Sequence, residues 1–194
     1  IKPFCDSDID FVTDISRKEG FAPGVGDLGI YKNTDKQGLW VGWLNDVPIG
    51  CIAGVRYNEY YGFLGLFLVI KEFRGRGFGL QLWKKALSHL NDLPCIGLEA
   101  APERINDYSK WGFSVSSKTT RWQWMGDGKM LEGNSWKNGL DNFSFVEDSY
   151  IPQDAVKKFD EKRENTPRPH FLSSWLNHPS GKAVSYTHLT LPTR

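Results

Sequence analysis

The stretch "FLGLFLVIKEFRGRGFGLQLWKK", Phe63 to Lys85, decides the fold. Phe63 to Ile70 is an apolar run of strand length and reads as a fully buried strand. From Gly77 to Leu90 the pattern changes, with Leu82, Trp83, Ala86, Leu87 and Leu90 at helical spacing. Between strand and helix, Gly75, Gly77 and Gly79 alternate with other residues, with Arg74 and Arg76 beside them. A helix N-terminus leaves its first N–H groups unpaired and carries partial positive charge. Glycines without a Cβ let a diphosphate rest directly on those groups. The seam therefore reads as an anion cradle for a nucleotide-like diphosphate. The plainer reading is a strand-to-helix turn with solvated arginines. Two other phosphate motifs fail here. A dinucleotide fingerprint counted from Gly75 and Gly77 needs a third glycine where Leu80 stands. A P-loop needs Ser or Thr where Ala183 follows Lys182.

Outward from this seam, "IKPF" reads as a first strand and "SDIDFVTDISRKEG" as a helix. Ser7 or Asp8 caps that helix, Phe11, Val12 and Ile15 share a face, and Gly20 stops it. A short helix is expected at Leu28 to Tyr31. "GLWVGWLNDVPIGCIAGVRYN" predicts two strands joined at "NDVP". After Pro94, "CIGLEA" reads as the next strand, "PERINDYSKWG" as a short helix, and "FSVSSKTTRWQWMGD" as one or two closing strands. The order argues an α/β fold with helices on both faces of one twisted sheet. Beyond a turn-rich loop at Gly126 to Gly139, "FSFVED" predicts a strand. "PQDAVKKFDEKREN" and "RPHFLSSWLNHPSGK" predict helices, the second with Phe171, Leu172, Trp175 and Leu176 as its apolar stripe.

The 194 residues are 40% hydrophobic with a net charge of +1, so no global field draws nucleic acid or a membrane surface. Basic charge is local: Lys71 to Lys85 carries +4, whereas residues 1 to 60 carry −3. Cys5, Cys51 and Cys95 are far apart, and the four histidines have no metal-ligand spacing. No metal site or disulfide framework is expected. Cys51 and Cys95, both in apolar strands, are expected as small buried hydrophobes. The longest apolar run, eight residues, is too short to span a bilayer. With no signal-peptide pattern, the expectation is a cytoplasmic protein. A first residue of Ile1 leads us to expect that a few N-terminal residues are missing.

The seam also meets a family pattern. Arg74, Gly77 and Gly79 satisfy the R/Q-x-x-G-x-G/A signature of the GNAT-superfamily N-acetyltransferases, which this chain resembles. Val69, Arg74 and Gly75 fit V-x-P-x-x-R-G, with Lys71 in place of its proline. "YSKWGF", Tyr108 to Phe113, is similar to the family's Y-x-K-x-G-F element. The resemblance covers residues 1–125. "GFAPGVGD" and "GLEA" further resemble a bacterial subgroup carrying a second, GNAT-like C-terminal module, whose start "PRPHFLSSWL" resembles. The implied division is an acetyltransferase domain at 1–125, an incomplete module at 126–184, and a non-native tail at 185–194, similar to a translated cloning scar.

The resemblance implies a GNAT fold: a mixed, mostly antiparallel sheet with a splayed parallel strand pair. Acetyl-CoA would lie between Phe63–Ile70 and Cys95–Ala100. The backbone from Phe67 through Leu68 to Val69 would pair with its pantetheine arm. The amides of Arg74, Gly75, Arg76, Gly77, Phe78 and Gly79 would hold its pyrophosphate, with Lys71, Arg76 or Lys110 for the 3′-phosphate. The implied reaction is direct attack of a small-molecule primary amine on the thioester. Tyr108 matches the family's usual acid toward the leaving sulfur; a phenol of pKa ~10 stays protonated at neutral pH. Glu99, in an otherwise apolar strand, is a candidate base whose burial would raise its pKa. Asp27, Tyr31 and Glu59 are candidates for the acceptor wall. A homodimer is compatible with this reading. The alternative is a CoA-binding sensor without catalysis.

Overall fold

A computed structural model describes residues 1–120, 144–147, 151–181 and 184–187. The chain divides into two compact units, Ile1–Glu99 with Asp148–Ala183, and Ala100–Glu147 with Val184–Arg194.

The first unit is built on a five-stranded sheet. Its strands, in both chain and spatial order, are β1 (Lys2–Pro3), β2 (Leu39–Leu44), β3 (Val47–Arg56), β4 (Tyr61–Val69) and β5 (Cys95–Leu98). The first four pair antiparallel, and β4 and β5 pair parallel. The expected hairpin is present. Asn45 and Asp46 join β2 to β3 with φ of 49° and 60°. Two positive values in a two-residue loop match the twist of the flanking strands, and Asn and Asp tolerate that conformation best after glycine.

Helices cover both faces of this sheet. On one side lie α1 (Ile9–Lys18) and α2 (Asp27–Thr34). Val12, Ile15, Leu28 and Ile30 form a core with Val41, Cys51, Ala53 and Val55. The alternate residues of β2 and β3 face α3 (Phe78–Leu90), which Gly77 caps, one residue after the start the spacing predicts. Here the sheet offers glycines. A Cβ on Gly54 would lie 3.2 Å from that of Ala86, and Gly42 faces Leu82. This close approach brings Leu82, Trp83, Ala86 and Leu90 into full burial.

The C-terminal helices α5 (Gln153–Glu164) and α6 (Pro169–Leu176) belong to the same unit. Phe171 and Leu172 are each 8% exposed, and Phe171 joins the core of the α1–α2 face. Asn58, in the β3–β4 turn, donates to Thr166 Oγ1 (2.7 Å) and to the Pro167 carbonyl (2.6 Å). Arg168 donates twice to Asp160, at 3.0 Å each. In the second unit a 3-10 turn at Pro102–Arg104 leads into α4 (Ile105–Ser109). Also there, β6 (Ser144–Glu147) and β7 (Val184–Thr187) pair antiparallel.

Four expectations change. α2 is longer than Leu28 to Tyr31, because Gly26 starts it one residue earlier and Asp35 ends it. Phe63–Ile70 is not fully buried: only Gly62, Leu64 and Leu68 of β4 are, since alternate residues face opposite sides of the sheet. Cys51 is buried but Cys95 is exposed, at the first position of β5, which pairs only with β4 among the described residues. Residues 113–120 form no strand, and the rest of the expected closing strands lies outside the described residues.

The close packing around the sheet glycines generates a test. A Cβ on Gly50 would sit 2.5 Å from the Leu68 carbonyl oxygen, whereas one on Gly29, inside α2, meets nothing within 4 Å. Gly50→Ala should lower the unfolding free energy by about 1–3 kcal/mol in urea. Gly29→Ala should raise it by about 0.5–1 kcal/mol through reduced backbone entropy.

Candidate active site

The register of β3 on β4 slips in the middle of the sheet. Cys51 pairs with Leu68 and Ala53 with Gly65, so β4 holds one residue more than β3 over this span. The extra residue is a β-bulge at Leu66, which takes φ 49°, a left-handed conformation costly for a branched side chain. The Cys51 thiol donates to the Leu66 carbonyl at 3.2 Å. Beside the bulge, pairing with β5 stops: its last pair is Leu64 with Leu98. Gly65 to Val69 thus continue as strand with no parallel partner among the described residues. Phe67, Leu68 and Val69 lie in this segment.

The free segment runs directly into the glycine-rich loop. Lys71–Phe73 make a 3-10 turn, then Gly75 and Gly77 adopt φ of 72° and 82°. A Cβ on either would meet nothing within 4 Å, so their backbone lies open. Gly77 caps α3, leaving the amides of Phe78, Gly79 and Leu80 at the helix start. Gly79 packs against the Phe67 ring and Val69, which sets the first turn of the helix on the end of β4. The arginines differ. Arg74 donates through Nε to the Val69 carbonyl (2.7 Å) and pairs with Glu19 (2.5 Å). It braces the loop against the end of β4, and its charge is matched by Glu19. Arg76 is exposed, lying over the rings of Phe73 and Phe78 at 5.6 and 5.2 Å. Lys71 and Arg76 make no ion pair among the described residues.

A second group lies on the α1–α2 side. Asp27 opens α2, and Tyr31 follows one turn later on the same face. Burial raises the Tyr31 phenol pKa first, the charges of Asp27 and Glu99 raise it further, and Arg168 opposes them. Glu99 therefore shares the electrostatic surroundings of Tyr31 and Asp27. Tyr31 stacks on Phe171 (6.2 Å), and Tyr57 meets Phe171 edge to face (5.1 Å). Arg168 lies over both Tyr57 and Phe171, at 5.8 and 5.0 Å. Asp27 accepts the Gly24 N–H at 2.8 Å and pairs with His178 at 2.8 Å.

The model of the acetyltransferase (GNAT) family matches residues 10–113, more than half of the chain. The chain belongs to this family. Holothin acyltransferase of a Pseudoalteromonas strain is 33% identical over 156 residues, 79% of this chain and 49% of that protein. An uncharacterized Caenorhabditis elegans protein, F36G3.2, is 36% identical over 62 residues, 32% of this chain and 20% of its own. The chain thus spans about half or less of these curated relatives. Among solved structures, a "putative acetyltransferase" from Pyrococcus horikoshii aligns with a TM-score of 0.70 at 19% identity, over 94% of this chain and 63% of that one. Ard1 from Thermoplasma volcanium aligns with a TM-score of 0.54 at 22% identity, over 60% and 82%. These structural likenesses establish the fold: a mixed α/β sheet of GNAT type with one parallel pair.

Against the GNAT pattern, the residues expected at the site fall into distinct places. Phe67 to Val69 and Arg74 to Gly79 form one continuous surface from the splay to the helix start. Asp27 and Tyr31 lie on the α1–α2 side, and the charge of Glu99 acts on Tyr31. Glu99 is exposed, one residue beyond the end of β5, so the burial expected of it is not found. The apolar strand ends at Leu98, which the sequence pattern did not mark. Glu59 is exposed in the β3–β4 turn, at the far end of β4 from the glycine loop. A strand of that length separates the two by roughly 25–30 Å. Tyr108 is half-buried in α4, in the second unit, with the Phe113 ring edge to face at 6.4 Å. Burial raises its pKa; Asp107 adds to the rise and Arg104 opposes it. Phe171, Arg168 and His178 were not singled out by sequence as site residues. Their partners Tyr31, Tyr57 and Asp27 lie more than a hundred residues earlier, and no local signal marks such pairs. Among the described residues no group of three or more His, Cys, Asp or Glu could hold a metal ion. No helix there is long and apolar enough to cross a membrane.

The buried phenols predict alkaline behaviour. Burial comes first in raising Tyr31, Tyr57 and Tyr61 above the ordinary value of ~10. A raised folded pKa contributes stability that is present below the unfolded pKa and lost as pH rises through the folded value. Phenolate absorbance from these three should therefore appear together with unfolding. Ionisation of all seven tyrosines near pH ~10 with the fold intact would contradict this.

Proposed function

We propose that the chain is an acetyl-CoA-dependent N-acetyltransferase that acts on a small-molecule primary amine. The observation that carries this reading is the continuity of β4. A strand freed from its parallel neighbour leads into open glycine amides at a helix start. An extended acyl-pantetheine arm can pair with Phe67 to Val69, and its pyrophosphate can rest on the Arg74 to Gly79 amides and the helix dipole. Arg76 and Lys71 remain to meet further phosphate charge. The amine attacks the thioester carbonyl, the carbon–sulfur bond breaks, CoA leaves with a proton, and the amine loses one. Tyr108 is proposed as the acid that protonates the sulfur; its raised pKa keeps the phenol protonated across the neutral range. Glu99 is the proposed base, with ordered water as an alternative relay. The name of the holothin relative, an acyltransferase, supports acyl transfer. A cytoplasmic location, a homodimer, and a truncated GNAT-like module beginning after residue 125 belong to the same reading and rest on the resemblance. The second reading, a CoA-binding sensor, shares the cradle and differs only in turnover.

Titration calorimetry with acetyl-CoA is the first test. One-to-one binding is expected, and Gly77→Val, which puts a β-branched residue at φ 82°, should weaken it about tenfold or more. No binding by the unaltered protein would end both readings. Tyr108→Phe should lower kcat about a hundredfold with the acetyl-CoA Kd unchanged. The alkaline loss of activity in the unaltered enzyme should lie above pH ~10, because the acid works only while protonated. Binding of acetyl-CoA without transfer to any of a broad amine panel would favour the sensor.

A further inference from the structure

Two helices far apart in the chain are zipped together by a closed ring of contacts. On α2, Asp27 and Tyr31 stand one turn apart; on α6, Phe171 and Trp175 do the same. Tyr31 stacks on Phe171 (6.2 Å, 23°), and Phe171 stacks on Trp175 (5.7 Å, 22°). Trp175 meets the His178 ring edge to face at 5.3 Å. His178 then returns to Asp27 at 2.8 Å. The last link is well shielded, with side-chain exposures of 14% for His178 and 18% for Asp27.

The hydrogen bonds around this link set its chemistry. His178 Nδ1 accepts the Ser180 N–H at 3.1 Å. A neutral imidazole accepting at Nδ1 carries its proton on Nε2, so Nε2 donates to Asp27 Oδ1. The other oxygen, Oδ2, accepts the Gly24 N–H. Both carboxylate oxygens of Asp27 are thus engaged, one by the loop before α2 and one by the turn after α6. The backbone fits as closely. Gly26 has φ 105°, and a Cβ there would lie 2.5 Å from Pro179 Cγ. The segment from Gly24 to Tyr31 is therefore held by residues about 150 positions later. Glu99, exposed one residue beyond β5, raises the Tyr31 phenol pKa by its charge and makes no hydrogen bond or ion pair among the described residues.

We infer that His178 is a positioning residue for the amine acceptor: it fixes Asp27 and the 24–31 segment as a rigid wall, leaving Glu99 to meet the amine. This rests on the acetyl-transfer reading. Asp27 is then a structural group rather than the one that binds the amine, and 169–181 is part of what sets acceptor specificity.

The test compares the full chain with His178→Ala and His178→Gln, whose side-chain amide can still donate to Asp27. In the Ala variant, amide exchange across residues 24–31 should rise about tenfold while α3 keeps its protection, and Gln should restore it. With tryptamine and spermidine as probe amines, the Ala variant should raise the amine KM about tenfold, leave the acetyl-CoA KM unchanged, and be rescued by Gln. Unchanged exchange at Gly24, or raised exchange with an unaltered amine KM, overturns the inference. Where His178→Ala does not fold, Asp27→Asn loosens the same link and is read the same way. Calorimetry on the unaltered protein separates the two ideas: absent acetyl-CoA binding strikes the acetyl-transfer reading, whereas exchange reports on the His178 link. If acetyl-CoA binds and neither probe is acetylated, exchange with its Gln rescue decides.

Discussion

The bulge at Leu66 is the constraint on which the rest of the first unit depends. One extra residue in β4 leaves the antiparallel ladder to β3 intact on either side, yet forces a leucine into the left-handed region. Such a conformation costs on the order of 1–2 kcal/mol. Surrounding contacts hold it: the Cys51 thiol bonds the Leu66 carbonyl, and Gly65 and Leu68 return to register within three residues. The last β4–β5 pair lies two residues before it. Backbone groups on one edge of β4 are thereby left without a strand partner among the described residues, in a sheet that otherwise pairs them.

The glycine loop turns that released edge into a directed one. Gly79 lies against Phe67 and Val69, so the end of β4 and the start of α3 form one body. Arg74 ties the loop to the Val69 carbonyl and to Glu19 at the end of α1. As an exposed ion pair, the Glu19 contact contributes little to stability. Its consequence is geometric, since Gly20 and the loop toward α2 begin at the next residue. Free positive charge in the loop then resides on Lys71 and Arg76.

On the other face, aromatic stacking replaces an ordinary aliphatic core. Tyr31, Tyr57, Phe171 and Trp175 contact one another through their rings, each pair adding about 0.5–1.5 kcal/mol beyond area burial. Arg168 sits over two of these rings and forks onto Asp160, so its charge is both paired and stacked. This group binds the C-terminal helices to the sheet. It explains why α6, whose apolar stripe is plain in sequence, packs in the same unit as residues 1–99.

Much of this was legible in the sequence because it depends on local rules. The helical spacing of Leu82, Trp83, Ala86 and Leu90, the Asn45–Asp46 hairpin, and the glycines flanking Arg76 each state their structure within a few residues. So does the glycine loop, since its open groups are backbone amides at a strand-to-helix seam. What only the tertiary structure decided involves register and distance. Gly65 beside Leu66 is the one local sign of the bulge, but which residue is extra appears only when β3 is laid against β4. Glu99 became exposed because β5 ends at Leu98, a limit set by pairing with β4. His178 had no readable role, for a hydrogen bond across 151 residues leaves no trace in local pattern. Periodicity, caps and turns are encoded by neighbours along the chain; the partner of a carboxylate or an aromatic ring is chosen only once the helices have packed.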